Sequence, residues 1–480
     1  MPDRLLIKGG YILSMDPNVG ELERGDVLVE DGRIVAVAPT IEGTDAADIN
    51  ASGDVVMPGF VDTHRHTWQT ALRAICADWT LMEYFRGIRQ TISPRYTPDD
   101  VFAGNYVGAL EALNAGVTTI LDFSHCMNSP RHADAALEGL RDAGIRAVFA
   151  YGYFPAPSED AGFGEHVERI EDARRIRREH LSSDDALVTM GVALTEVGLL
   201  PFELTKAEID SAREMDAPVV THTGCSWGAS ITGGLRELHM HGLLDEKQVH
   251  VHCNCLDEGE FDLLADAGAK VSMSPETELN MGMGHPVVQQ CVSRGMKPTL
   301  SCDVISLNSG DMFAQMRLII AFQRCMENDP VNAEGGMPER LALRARDVVA
   351  WGTTNGAEAL GLSSRTGSLA PGKCADIIVI GGEQLNMTPR AEMVGSVVFQ
   401  ANPGDVKHVL VDGTVVKRDG KLVGVDSSRV RRLAEESRER VLSSVLAHGP
   451  LLPGATADFQ TQLDAFGKAN IARAHELAHS

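Results

Sequence analysis

Several histidines and one aspartate stand where apolar, strand-like runs come to an end. His64 and His66 close the run Pro58-Gly59-Phe60-Val61-Asp62-Thr63-His64-Arg65-His66. His222 closes Pro218-Val219-Val220-Thr221-His222, His252 closes Val249-His250-Val251-His252, and Asp303 follows Pro298-Thr299-Leu300-Ser301-Cys302. In an extended strand, residues i and i+2 share a face, so His64 and His66 can aim two imidazoles at one point. Two neutral imidazoles at that spacing form half of a zinc-type site. A bare His-x-His is by itself as readily a pair of unrelated surface histidines, and a lone strand-end His or Asp is commonly a satisfied core group. Four such ends in succession are harder to explain that way. Three histidines and an aspartate around one divalent ion leave a position for water, whose pKa the ion lowers toward neutrality. Asp303 can then serve both as a ligand and as acceptor of the attacking water's proton.

The elements that must position these residues follow from the hydrophobic pattern. Residues 58–362 alternate apolar runs (Val117 to Asp122, Ala147 to Tyr151) with Ala/Glu/Leu/Arg-rich helical stretches such as Asp134 to Ala143. That alternation argues for a parallel α/β domain. A closed barrel and an open doubly wound sheet both satisfy it, but no Gly-x-Gly-x-x-Gly turn follows an early strand, which removes the usual dinucleotide-binding signature. In a barrel, the C-terminal strand ends converge on one mouth, where such folds keep their chemistry. Residues 1–57 and 363–424 instead read as short strands and turns. Asp31-Gly32 and Asp412-Gly413 each lie between β-rich runs, a strong hairpin signal. We expect one small β-sandwich assembled from both segments. Residues 425–480 read as a charged helical extension used for packing or oligomer contacts.

Composition bounds the partners. The 480 residues are 44% hydrophobic, enough to bury a large core, and carry a formal net charge of −24 from 43 basic and 67 acidic residues. Such a balance disfavours nucleic acid and anionic membrane surfaces as partners. The chain starts without the basic and apolar pattern of a signal peptide and holds no apolar run long enough to span a bilayer. Nine cysteines, an odd number spread over a long chain, do not suggest a disulfide framework, so a reducing cytoplasm is the expected compartment. A homodimer or higher homo-oligomer is the default for an enzyme of this size.

Together, Pro58 to His66, His222, His252-Cys253-Asn254-Cys255-Leu256-Asp257-Glu258, Cys302-Asp303-Val304 and Asp311 to Arg317 resemble the amidohydrolase superfamily. Within it they are similar to the branch of cytosine-deaminase-like and triazine-hydrolase-like enzymes (chlorohydrolases and aminohydrolases). Gly367 to Asp376 and Asn355-Gly356-Ala357 extend the likeness, which covers residues 3 to 424. It implies a (β/α)₈ TIM barrel with a split β-sandwich and a single divalent metal ion, zinc first and iron, manganese or cobalt as alternatives. By that resemblance His64, His66, His222 and Asp303 are the metal ligands, and His252 polarises the electrophile or steadies the bound water. The implied reaction is attack of metal-activated water on a carbon of an N-heterocycle, urea, carbamate or thiocarbamate. An amine, halide, alkoxy or thio group leaves. Deamination of a purine, pyrimidine or triazine ring is the narrower alternative. A catalytically silent barrel serving as a binding subunit is the alternative of another class.

The sequence departs from that pattern in two places. Relatives of the deaminase type carry a glutamate three residues after the fifth-strand histidine, where this chain has Cys225. A thiol is a poor substitute for a carboxylic acid that must hand a proton to a leaving nitrogen. After the sixth strand, the expected His-x-Pro-x-Ser-Asn reads Met273-Ser274-Pro275-Glu276-Thr277-Glu278, so Glu276 or Glu278 is the expected replacement acid. His125, ending the second strand, is assigned to substrate binding together with Cys225, Trp68 and Trp227, whose flat rings suit a ring-bearing small molecule.

Overall fold

A computed structural model describes residues 4–154, 162–197, 201–225 and 234–455. Trp227 and the end of the C-terminal extension, 456–480, lie outside the described residues. Among the described residues, seventeen strands fall into two sheets. The first strands are β1 (Arg4–Leu13), β2 (Glu21–Glu30), β3 (Arg33–Ala38), β4 (Ala47–Asn50) and β5 (Val55–Pro58). The barrel strands are β6 (Phe60–Arg65), β7 (Val117–Ser124), β8 (Arg146–Gly152), β9 (Val188–Ala193), β10 (Val219–Thr223), β11 (Gln248–His252), β12 (Lys270–Met273) and β13 (Thr299–Leu300). The last four are β14 (Ile377–Ile380), β15 (Val406–Val411), β16 (Thr414–Arg418) and β17 (Lys421–Leu422).

Strands β6 to β13 pair in sequence order, each parallel to the next. A parallel bridge between Arg65 and Asp303 brings the last strand back to the first. The interior is packed, not hollow: Val61, Leu121, Phe123, Val148, Ala150, Val220, Val249 and Val251 form one buried cluster with Ala357 and Leu360. A second layer of buried polar side chains links β6 to the closing strands, with Thr63 Oγ1 lying 2.7 Å from both Ser272 Oγ and Thr299 Oγ1.

The two terminal segments build the other sheet, in the order β17-β16-β15-β14-β5-β1-β2-β3, with β4 added to β1. It is one continuous hydrogen-bonded path contributed by both ends of the chain. Register shifts in β1 between Ile7 and Gly10 and between Gly10 and Ile12 break its regularity, as bulges do. Leu5, Ile7, Val27, Val29, Val56, Ile377, Val379 and Leu410 form its core. Both Asp-Gly pairs turn as their sequence suggests, with φ of 48° and 78° at Asp31-Gly32 and 49° and 80° at Asp412-Gly413. Positive φ at both central residues is the tight turn whose twist matches paired strands.

Two contacts fix this sheet to the N-terminal side of the barrel, opposite the mouth. The Gly59 N–H donates to the Asp376 carbonyl at 3.0 Å, and a side chain at Gly59 would collide with Thr118, its Cβ falling 2.2 Å from that side chain. Arg146, at the start of β8, is 1% exposed and donates to Asp376 through Nε (2.6 Å) and Nη2 (3.1 Å), and to Asp412 (2.9 Å). Removing one partner of a buried ion pair strands the other charge away from water. Asp376→Ala is therefore expected to lower stability by about 3–5 kcal/mol, read as a lower midpoint in urea unfolding. An unchanged midpoint would mean that this pair does not hold the two sheets together.

Candidate active site

The C-terminal strand ends do converge. His64 Nε2 lies 3.1 Å from Asp303 Oδ1, His66 Nε2 3.2 Å from the same oxygen, and His222 Nε2 3.2 Å from His64 Nε2. His252 Nε2 stands 3.7 Å from Asp303 Oδ2. All five side chains are at least nine-tenths buried. His125, just past the end of β7, stacks on His66 with ring centroids 4.4 Å apart and planes inclined by 21°.

Each imidazole is oriented from behind. Nδ1 of His66 faces the Phe123 carbonyl at 3.3 Å and Nδ1 of His222 faces Glu196 Oε1 at 2.9 Å. Both partners are acceptors, so each Nδ1 carries the proton and each Nε2 offers a lone pair to the centre. Burial pushes His64 well below the usual histidine pKa and lowers His66 as well, which keeps both rings neutral. The Asp303 carboxylate, 1% exposed, lies among these rings. Neither of its oxygens has a hydrogen-bond donor of suitable geometry. The result is a tight cluster of acceptors. His64, His66 and Asp303 form a group whose ligand atoms lie within 4.8 Å of one another, as do His64, His222 and His252, and His66, His125 and His222. Buried lone pairs facing one another without a donor are what a bound divalent cation relieves, and nitrogen and carboxylate ligands suit zinc.

His252 differs from the others. Burial would lower its pKa, yet the 3.2 Å contact between its Nδ1 and Glu278 Oε1 outweighs that and the pKa is raised. It can keep a proton on the ring and present N–H to the centre. Its backbone is left-handed (φ 72°), as is that of Asp303 (φ 55°). Such conformations cost free energy and concentrate where function demands a particular aim.

Of the two expected replacement acids, neither lines the cavity. Glu278 is 0% exposed and its Oε1 is taken by the Ser274 N–H (2.7 Å) and His252 Nδ1, so it orients the imidazole from behind. Glu276 accepts from Gln315 Nε2 at 2.6 Å and from Ser309, on the side of helix Met312–Ala333. Trp68 is not a wall for a ligand either. It is fully buried in a short 3₁₀ turn, edge-on to Tyr96 and beyond His125. Cys225 and His125 do line the cavity, with His66, His222, His252 and Asp303. Burial raises the Cys225 thiol well above its usual pKa, so it is uncharged there. Among the polar lining residues, Tyr84, Arg89 and Glu196 carry no expectation from the sequence. Glu196 stands three residues past the end of β9, so the same strand-end reasoning reaches it; Tyr84 and Arg89 come from a segment between strands that carries no such mark.

Residues 55–416 match the model of the amidohydrolase family. The chain belongs to that family. Curated relatives agree along almost its whole length. A 5-methylthioadenosine/S-adenosylhomocysteine deaminase of Symbiobacterium thermophilum is 31% identical, over 92% of this chain and 99% of that one. A 5'-deoxyadenosine deaminase of Methanothermobacter thermautotrophicus is 30% identical, over 90% and 97%. Among solved structures, a zinc-bound adenosine deaminase from Xanthomonas campestris superposes with a TM-score of 0.79 at 25% identity, covering 92% of this chain and 98% of its own. An atrazine chlorohydrolase from Arthrobacter aurescens complexed with zinc gives 0.79 at 21% identity, over 90% and 100%, a likeness of fold. This amidohydrolase is thus a hydrolase acting on carbon–nitrogen or carbon–halide bonds other than peptide bonds.

Two outcomes follow from the geometry. The unaltered protein should purify with a divalent ion, and Asp303→Ala and His222→Ala should each purify without it, as read by plasma mass spectrometry. Glu196→Gln should keep the fold but weaken metal affinity by about 10- to 100-fold in a chelator competition, because it removes the charge that orients His222. Full metal occupancy in Asp303→Ala would refute the assignment of the cluster.

Proposed function

We propose that this amidohydrolase is a mononuclear metal-dependent hydrolase that removes an amino group from a carbon of an N-heterocycle. The observation that carries the reading is the acceptor cluster of His64, His66, His222 and Asp303 with His252 Nε2 3.7 Å from Asp303 Oδ2. Deaminase activity in the curated relatives, at 30–31% identity over nine-tenths of this chain, supports the choice of leaving group. The zinc in a deaminase of the same fold supports zinc as the ion.

The ligands would be His64, His66, His222 and Asp303, and the ion, when bound, supplies a nucleophilic water at neutral pH. His252, kept protonated by Glu278, donates to the ring atom that gains negative charge as the carbon becomes tetrahedral. Asp303 accepts the proton released by the water and carries it toward the leaving nitrogen. Cys225 holds the position of the carboxylic acid of related deaminases but, as a neutral buried thiol, does not share that work. Glu196 orients His222, and His125 offers two ring nitrogens without protein partners to the substrate. The wider reading, in which chloride, a larger amine or a thiol leaves, is favoured by that same Cys225, since such groups need less protonation to depart. Cytoplasmic residence as a homodimer completes the proposal: all nine cysteines are free thiols, and among the described residues no helix is long and apolar enough to cross a membrane.

Incubating the zinc-loaded protein with aminated purines, pyrimidines and triazines, chlorinated and alkylamino triazines, ureas and thiocarbamates, and weighing the products by mass spectrometry, tests this directly. Ammonia from a ring amine is the expected outcome. Exclusive loss of chloride, a larger amine or a thiol would replace it with the wider reading. No product from any compound would sink both.

A further inference from the structure

The cavity holds a cation that the reaction outlined above does not use. Arg89 lies in the π-helical turn Phe85–Ile92, is 3% exposed, and lines the cavity beside His66, His125 and Glu196. Its Nε and Nη1 have no hydrogen-bond partner. Of the other buried arginines among the described residues, Arg65 is held by Asp62 and Glu111 and Arg146 by Asp376 and Asp412, while Arg169, 5% exposed and outside the cavity, lies over the Phe163 ring. Arg89 forms no such ion pair among the described residues. The nearby Glu196 carboxylate is engaged with His222, and the guanidinium lies over the face of the Phe154 ring, 4.2 Å from its centroid. A ring face offers far less to a desolvated guanidinium than a carboxylate does. Its planar fork of donors matches two oxygens of one anionic group.

We propose that Arg89 is the receptor for an anionic oxygen group, a carboxylate, on the substrate. The proposal rests on the hydrolase reading and narrows it to acidic heterocycles. A single guanidinium balances a single negative charge, so a carboxylate monoanion fits where a phosphate dianion would leave one charge unmatched. Phe154 then covers the ion pair from one side and keeps water from it. The net charge of −24 makes a buried, unpaired cation at the mouth all the more specific, since the protein's field as a whole repels anions.

The test uses ring compounds that are not turned over, in pairs differing by one acid group: orotate and uracil, nicotinate and nicotinamide, benzoate and benzamide. Binding to the full-length, zinc-loaded protein is measured by calorimetry, alongside Arg89→Gln and Arg89→Lys, with zinc content and thermal unfolding checked for each. The expected result is that at least one acid binds about 10- to 100-fold more tightly than its neutral twin. Arg89→Gln should abolish that preference without changing zinc content, and Arg89→Lys should keep part of it. No acid preference in any pair overturns the proposal. So does a preference that survives Arg89→Gln, since the carboxylate is then held by the metal. Failure of the hydrolase reading has a different signature: no turnover of any heterocycle, acidic ones included, while an Arg89-dependent acid preference persists.

Discussion

Closure of the barrel and assembly of the site are the same set of hydrogen bonds. The final barrel strand, β13, has only two residues, too few to hold a seam by itself. The seam is made just beyond it, where the Asp303 N–H donates to the His64 carbonyl at 2.9 Å and the His66 N–H donates to the Asp303 carbonyl at 3.0 Å. Three residues whose side chains form the acceptor cluster therefore also carry the backbone link between first and last strands. Asp62 and Arg65 reinforce it: Asp62 Oδ1 accepts the Cys302 N–H at 3.1 Å, and Arg65 binds Asp62, Glu111 and the Gly310 carbonyl. Repulsion among these acceptors is resisted by the fold that places them. Conversely, a cation bound there would tighten the seam.

Four histidines with the same ring have been given different work by what stands behind them. A carbonyl behind His66 and a carboxylate behind His222 leave lone pairs facing inward. Glu278 behind His252 outweighs burial and raises the pKa instead. His125 has neither kind of partner, and burial followed by the Arg89 charge drives its pKa well below the usual value. A neutral ring with two unused nitrogens, stacked on His66, can accept from one substrate group and donate to another. The way these rings face the centre thus depends on Glu196, Phe123 and Glu278.

What was legible in the sequence was what period and turn chemistry encode. The Asp-Gly hairpins, the alternating strands and helices, and the i, i+2 pair His64 and His66 follow from local rules that the tertiary structure leaves intact. His252 illustrates the opposite. Strand periodicity sets it on the same face as His250, which is buried against Thr223 and Gln248; the left-handed turn at His252 brings it to the mouth. Side-chain aim after a strand end is similarly unreadable for Glu276 and Glu278. Both belong to helix Pro275–Asn280, where positions two apart diverge by roughly half a turn, so one meets Gln315 and the other His252. Trp68 looked like a flat wall because aromatic residues serve ligands and cores alike, and only packing separates the two uses.

The charges in the cavity carry the argument one step further. The carboxylates of Asp303 and Glu196 would offset a divalent ion, and the pair His252–Glu278 compensates itself. Arg89 is left over. In an otherwise strongly acidic protein, the mouth of this barrel is then locally short of negative charge, by about the amount one carboxylate would bring. A neutral nucleoside would leave that cation buried and unmatched, and a cationic substrate would add to it. The glutamate that the family resemblance implies at Cys225 would have added a further negative charge beside Glu196. Its replacement by a neutral thiol and the presence of an unpaired arginine shift the cavity in the same electrostatic direction, toward a ligand that is itself an acid.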